Sequence, residues 1–192
     1  MGFEAPNYIY LLWGGIVKNR YEVRGDVTAI FLKSAKYGKK ETVISTEKLP
    51  KVKSFSGTWS LKWNRNNNAF YCQGHIRGRG ENRTIQLQRL ITDCPADKVV
   101  DHIDNNGLNN KDDNLRIVTN GENGQNRKGA PKNSKTGIRG VCWCKREQKW
   151  RASIKINMKH KHLGYFENIK EAEKTVINAR IEHMPYSNEN AI

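Results

Sequence analysis

Apolar residues in this chain come only in short runs, which limits what it can fold into. "VTAIFLKS", "KETVIST", "TIQLQRLI", "KVVDHI" and "LRIV" are four to eight residues long. They are rich in β-branched side chains and set between polar turn residues, the pattern of short strands. None approaches the ~18 residues of a membrane-crossing helix. "YIYLLWGGIV" is ten residues long and follows Glu4 without a basic leader, so it makes a poor signal peptide. The 192 residues are 36% hydrophobic, with a mean hydropathy of −0.81. That is thin for one compact core, and small units with an α+β make-up are expected.

Charge supplies the second constraint. Lys plus Arg number 34 against 19 Asp plus Glu, a formal net charge of +15. Residues 127–161 hold twelve Lys or Arg and one acid, Glu147. Like charges at that density repel, so an anionic partner is expected, and double-stranded DNA fits best. The four cysteines form no C-x-x-C, which argues against a zinc finger and for reduced thiols in a cytoplasmic setting.

The composition changes along the chain. Residues 1–55 read as a β-rich region. "WSLKWNRNNNAFYCQGHIRG" reads as an aromatic-rich hairpin opening a unit over residues 56–128. "TIQLQRLI" suits either helix or strand. "KGAPKNSKTG" is a polar linker over 129–136, and residues 137–185 form a separate unit.

The stretch "VVDHIDNNGLNNKDDNLRIVTNGENGQNR", residues 99–127, concentrates the chemistry. It holds five carboxylates and, after His102, eight asparagines. "KVVDHI" predicts a strand, "DNNGLNNKDD" a loop and "LRIV" a second strand. Thr119 with Glu122 predicts a capping box opening a short helix through Arg127, giving the order strand, loop, strand, helix. Hydrolysis of a phosphodiester requires a proton acceptor for water and positive charge for the phosphorane and the leaving oxygen. One histidine and one divalent cation supply both. Asp101 offers a carboxylate beside His102. One Asn oxygen suits a hard cation as a second ligand, and another suits the imidazole N–H, fixing its tautomer. Asn105, Asn106, Asn109 and Asn110 read as turn formers, and Asp104, Asp112 and Asp113 as solvated loop acids.

This stretch resembles the HNH endonucleases, whose site is a ββα-metal motif, and within them the phage and intron-encoded homing enzymes. The resemblance implies Asp101 as a metal ligand, His102 as general base, Asn114 as the residue orienting His102, and Asn123 as the second ligand to one Mg²⁺ or Mn²⁺. It implies a phosphate contact from Arg127. Relatives often carry "LHR" before the site where this chain has Gln88 and Arg89, and His75 reads as structural or as a DNA contact.

In the C-terminal unit, "GVCWCK", "KWRASIKIN" and "KHKHLGYF" predict three strands. Asn168 with Glu171 opens a helix whose face carries Ile169, Ala172, Val176 and Ala179. A three-stranded antiparallel sheet packed on one helix is expected, with cations on its other face. "RGV", "WRASI" and "LGYF" resemble the plant Apetala/ethylene-response-factor DNA-binding domain, which implies DNA contacts from Arg139, Arg151, Ser153, Lys155 and His162. The family's Arg after "RGV" is Cys142 here, so base specificity does not carry over. The expected function is a metal-dependent HNH DNA endonuclease, monomer or weak dimer. The alternative is a DNA-binding regulator with an inactive HNH unit.

Overall fold

The computed structural model describes residues 18–78, 81–156 and 159–190; the stretch "YIYLLWGGIV" lies outside them. The fold is α+β, as expected. Three N-terminal strands, β1 (Tyr21–Arg24), β2 (Val27–Ser34) and β3 (Gly38–Ser45), run antiparallel, and helix α1 (Leu49–Lys53) follows. The aromatic-rich hairpin forms as β4 (Thr58–Asn64) and β5 (Ala69–Gly78), with β6 (Glu81–Gln86) added beyond it. "TIQLQRLI" divides its allegiance: it ends β6 and then becomes helix α2 (Leu87–Thr92).

One core runs through this whole half. Ile30, Leu32 and Ile44 from the N-terminal sheet pack with Leu49, Val52, Phe55, Trp59, Cys72, Leu87 and Ile91. The core therefore crosses the expected boundary between residues 55 and 56. Each apolar side chain removed from water contributes roughly 1.5–3 kcal/mol, so these strands and the aromatic hairpin stabilise each other. Burial pushes the Cys72 thiol pKa up, so it stays a neutral apolar group.

Strands β7 (Val99–His102) and β9 (Leu115–Val118) pair antiparallel, with Asp101 opposite Arg116 and His102 opposite Leu115. The loop between them contains a two-residue strand, β8 (Asn109–Asn110), that pairs parallel with β3 and extends the N-terminal sheet. The loop lies so close to β5 that a Cβ on Gly107 would meet the Phe70 carbonyl oxygen at 2.4 Å and the Tyr71 ring at 2.5 Å. Helix α3 (Asn120–Asn123) is a single turn, shorter than the expected helix through Arg127. Its capping box forms in full: the Thr119 hydroxyl accepts from Glu122 N at 3.2 Å, and the Glu122 carboxylate accepts from Thr119 N at 2.7 Å. The Thr119 backbone N–H and hydroxyl, both donating to the Glu122 carboxylate, hold its pKa below the ordinary value.

The C-terminal unit has the expected shape. Strands β10 (Val141–Cys144), β11 (Lys149–Ile156) and β12 (Lys159–Phe166) form an antiparallel sheet in that order, followed by helix α4 (Ile169–His183). Val141, Ala152 and Ile154 pack against Ala172, Val176 and Ala179. Asn168 caps α4 by accepting from Lys170 N. Among the described residues, no helix is long and apolar enough to cross a membrane.

Candidate active site

Asp101 and His102 end β7, and both are buried, at 6% and 5% exposure. Successive strand residues point to opposite faces, and here each face meets a different half of the molecule. On one face, the Asp101 carboxylate pairs with Arg116 across the strand register; Nε lies 2.9 Å and Nη2 2.8 Å from Oδ2. The Arg116 Nη2 also donates to the Tyr186 carbonyl at 2.7 Å, and the guanidinium sits 5.1 Å from the centre of the Tyr186 ring. Asn126, 2% exposed, donates from Nδ2 to both Asp101 oxygens at 3.0 Å and to the His102 carbonyl at 2.9 Å. Arginine thus loads Oδ2, and Oδ1 keeps the freer lone pairs.

On the other face, His102 Nε2 lies 3.1 Å from Asn110 Oδ1, and its ring meets that of Tyr71 edge-on at 5.8 Å. Asn110 is fully buried. Burial lowers the pKa of the His102 imidazole against the smaller raising effects of the Asn110 bond, Asp104 and Asp101. The ring is therefore biased toward its neutral, proton-accepting form.

The remaining expected residues are placed as follows. The Asn114 side chain does not bond the imidazole. Its Nδ2 donates to Asp104 Oδ1 at 2.9 Å and the Asn109 carbonyl at 2.7 Å, its Oδ1 accepts from Asp104 N at 3.0 Å, and its carbonyl accepts from Ile103 N. Asn114 ties the loop shut while Asn110, expected only to form a turn, holds the ring. Asp104, expected as a solvated acid, is exposed yet also accepts from Asn106 N and Asn109 Nδ2. Asn123 closes α3, exposed and without a side-chain hydrogen bond among the described residues. Gln88 is buried and leaves its Oε1 without a partner among the described residues. Arg89 donates to the carbonyls of Cys94, Pro95 and Lys98, bracing the loop that leads into β7. His75 is exposed between Gln73 and Thr84.

Arg151, Ser153 and Lys155 alternate with the core residues of β11. Across the register they meet Tyr165, His162 and His160, so these side chains share the face turned away from α4. The structure does not place Arg139 with them. Its guanidinium donates to the carbonyls of Gly124, Gln125 and Arg127, just past α3. Its own carbonyl accepts from Arg180, which pairs with Glu189. Burial lowers the Arg139 pKa, with the nearby Arg180 charge adding to it. Arg127 is exposed.

HNH nucleases use a divalent cation. Among the described residues no three His, Cys, Asp or Glu side chains converge. The two ligands that the sequence suggests, the Asp101 carboxylate and the Asn123 amide oxygen, would make an all-oxygen set of the kind that suits a hard cation carrying its own waters. Sequence reasoning missed Arg116, Asn110, Thr42 and Tyr186. The position of Arg116, in the strand partnering β7, was the available signal. Thr42 and Tyr186 lie 68 and 70 residues from the groups they touch and have no local signature.

No solved structure matches the chain. The chain is similar to Protein 3.8 of Escherichia phage T7, 40% identical over 60 residues, which are 31% of this chain and 49% of the phage protein. It thus spans about half the length of that curated relative. A family model described as HNH endonuclease matches residues 93–125, the segment that contains β7, its loop, β9 and α3. The ββα unit built around Asp101 and His102 is an HNH endonuclease domain.

Proposed function

We propose that this chain is a metal-dependent HNH DNA endonuclease of the phage or mobile-element homing type, hydrolysing a DNA phosphodiester at a site chosen by its C-terminal sheet. The observation that carries the reading is the Asp101–His102 pair at the end of β7, inside the matched segment and beside α3 with its unengaged Asn123.

In this mechanism Asp101 and Asn123 would hold one Mg²⁺ or Mn²⁺, which when bound would supply positive charge to the scissile phosphate and leaving oxygen. His102, neutral in its buried setting, accepts the proton of the attacking water. Arg116 and Asn126 keep the Asp101 carboxylate from rotating, and Asn114 fixes the loop beneath the imidazole. Arg127 contacts phosphate. The outer face of the C-terminal sheet, with Arg151, Ser153, Lys155 and His162, lies on the duplex, where its cations set affinity and its polar groups read the groove. Arg139 serves as a brace between the two units. The chain acts as a monomer or weak dimer: one site in a monomer cuts one strand, and a double-strand break needs dimerisation or a second visit. The phage relative supports an origin in the same kind of genome.

The test is to incubate the chain with a fragmented phage and host genomic library in Mg²⁺ and to map new ends by sequencing. Recurrent ends that vanish on chelation support the reading. Sequence-specific DNA binding that yields no new ends assigns the chain to DNA-binding regulators instead.

A further inference from the structure

We infer that Thr42 and Asn110 are positioning residues that fix the tautomer of His102, so that Nδ1 is the atom that takes the proton from water. The inference rests on the nuclease reading for its consequence, but on donor counting for its geometry. The Thr42 hydroxyl lies 2.8 Å from the Leu108 carbonyl, which can only accept, so the single hydroxyl proton is committed there. The Asn110 amide lies 2.8 Å from the same hydroxyl oxygen. With the proton already spent, that oxygen can only accept, and the group facing it must be the Nδ2 donor. The Gly107 carbonyl on the same side, 3.5 Å from Nδ2, opposes the reversed amide as well. Oδ1 therefore faces His102, and Nε2 at 3.1 Å must carry the hydrogen. A neutral imidazole protonated at Nε2 has its lone pair on Nδ1, which has no hydrogen-bond partner among the described residues.

Burial makes the arrangement matter. Thr42 and Asn110 are both fully buried, so no water substitutes for a lost partner. Neither residue touches the reacting atoms; each acts through the next. The β3–β8 pairing, with Ile44 opposite Asn110, sets the spacing. The N-terminal sheet thereby has a part in the chemistry as well as in the core.

The test uses the full chain with ¹⁵N-labelled imidazoles at about pH 8, well above the ordinary imidazole value. His102 is assigned by the resonance missing in His102→Gln. Wild type is expected to show the Nε2–H form. Thr42→Val frees the amide to turn and should move the ring toward a mixture of tautomers. It should also lower kcat for nicking by about 10- to 100-fold at unchanged KM for DNA. Thr42→Ser keeps the hydroxyl and should restore both. An Nδ1–H ring in wild type, or a Thr42→Val spectrum identical to wild type, overturns the assignment even if the enzyme nicks normally. An Nε2–H ring in a wild-type chain that never nicks DNA leaves the assignment standing and removes the nuclease reading. Amide spectra of each variant report whether the fold is kept.

Discussion

Asp101 has more donors around it than any surface carboxylate needs. Arg116 and Asn126 converge on it at 2.8–3.0 Å in a setting where its side chain is 7% exposed. Taking away one partner of a buried pair leaves the other charge uncompensated, which is more damaging than the net worth of the pair. Arg116→Met should therefore destabilise the chain by about 3 kcal/mol, the low end for such pairs because Arg116 keeps partial solvent contact. Asn126→Ala should cost about 1–3 kcal/mol by removing a buried donor to both Asp101 oxygens and one of the two donors to the His102 carbonyl. Urea denaturation of each variant checks both figures. His102 gives the pH prediction. Burial lowers its folded pKa below the unfolded value of about 6.5. The unfolded state then binds the proton more readily as pH falls, so this residue's stability contribution is present above about pH 6.5 and is lost on acidification through the folded pKa. A base with a lowered pKa also stays competent to lower pH. The acidic limb of the nicking rate should lie below the ordinary imidazole value, and a midpoint above it contradicts the buried neutral ring.

At the level of elements, the strands were legible wherever alternation or β-branching was local. β2, β3, the aromatic hairpin and β7 and β9 fall where the sequence places them, and so does the capping box at Thr119. The expected helix through Arg127 shrank to one turn, because Asn126 is pulled back onto Asp101 and the backbone of β7 rather than continuing the helix. β8 was illegible: two asparagines inside a turn-rich loop carry no strand signal, and only pairing with β3 makes them one. Asn110 was misread as a turn former for the same reason. Its partner Thr42 lies in another element, and a tertiary bond at that separation leaves no periodic trace. Thr119→Ala should destabilise the chain by about 1 kcal/mol through loss of the cap, read as a shift in urea midpoint. The C-terminal sheet separates two kinds of arginine. Arg151→Ala should weaken binding to all duplexes and lower the log–log salt slope by about 1, as expected for one lost phosphate contact. Arg139→Ala should leave that slope unchanged and lower thermal stability, because its guanidinium is spent on carbonyls past α3. Salt titrations of binding alongside melting curves distinguish the two.

Across the whole molecule, the net charge of +15 raises the expectation of an anionic partner without saying where one would bind. The sequence suggested three successive units; the contacts converge on one strand. The N-terminal sheet reaches β7 through Thr42 and Asn110 on the His102 face. The C-terminal unit reaches it through Tyr186 and Arg116 on the Asp101 face, with Arg139 and Arg180 bracing the seam. The His102 contacts thus reach into the N-terminal sheet, while Asp101 is held by Arg116 and Asn126 of its own unit, with Arg116 anchored in turn on Tyr186. The most direct measurement is nicking of supercoiled DNA carrying the mapped site, run beside gel-shift binding, for wild type and His102→Ala in Mg²⁺. The account predicts equal binding by both proteins, with nicking by wild type alone, abolished by chelation. Equal nicking by both, or metal-independent nicking, contradicts it.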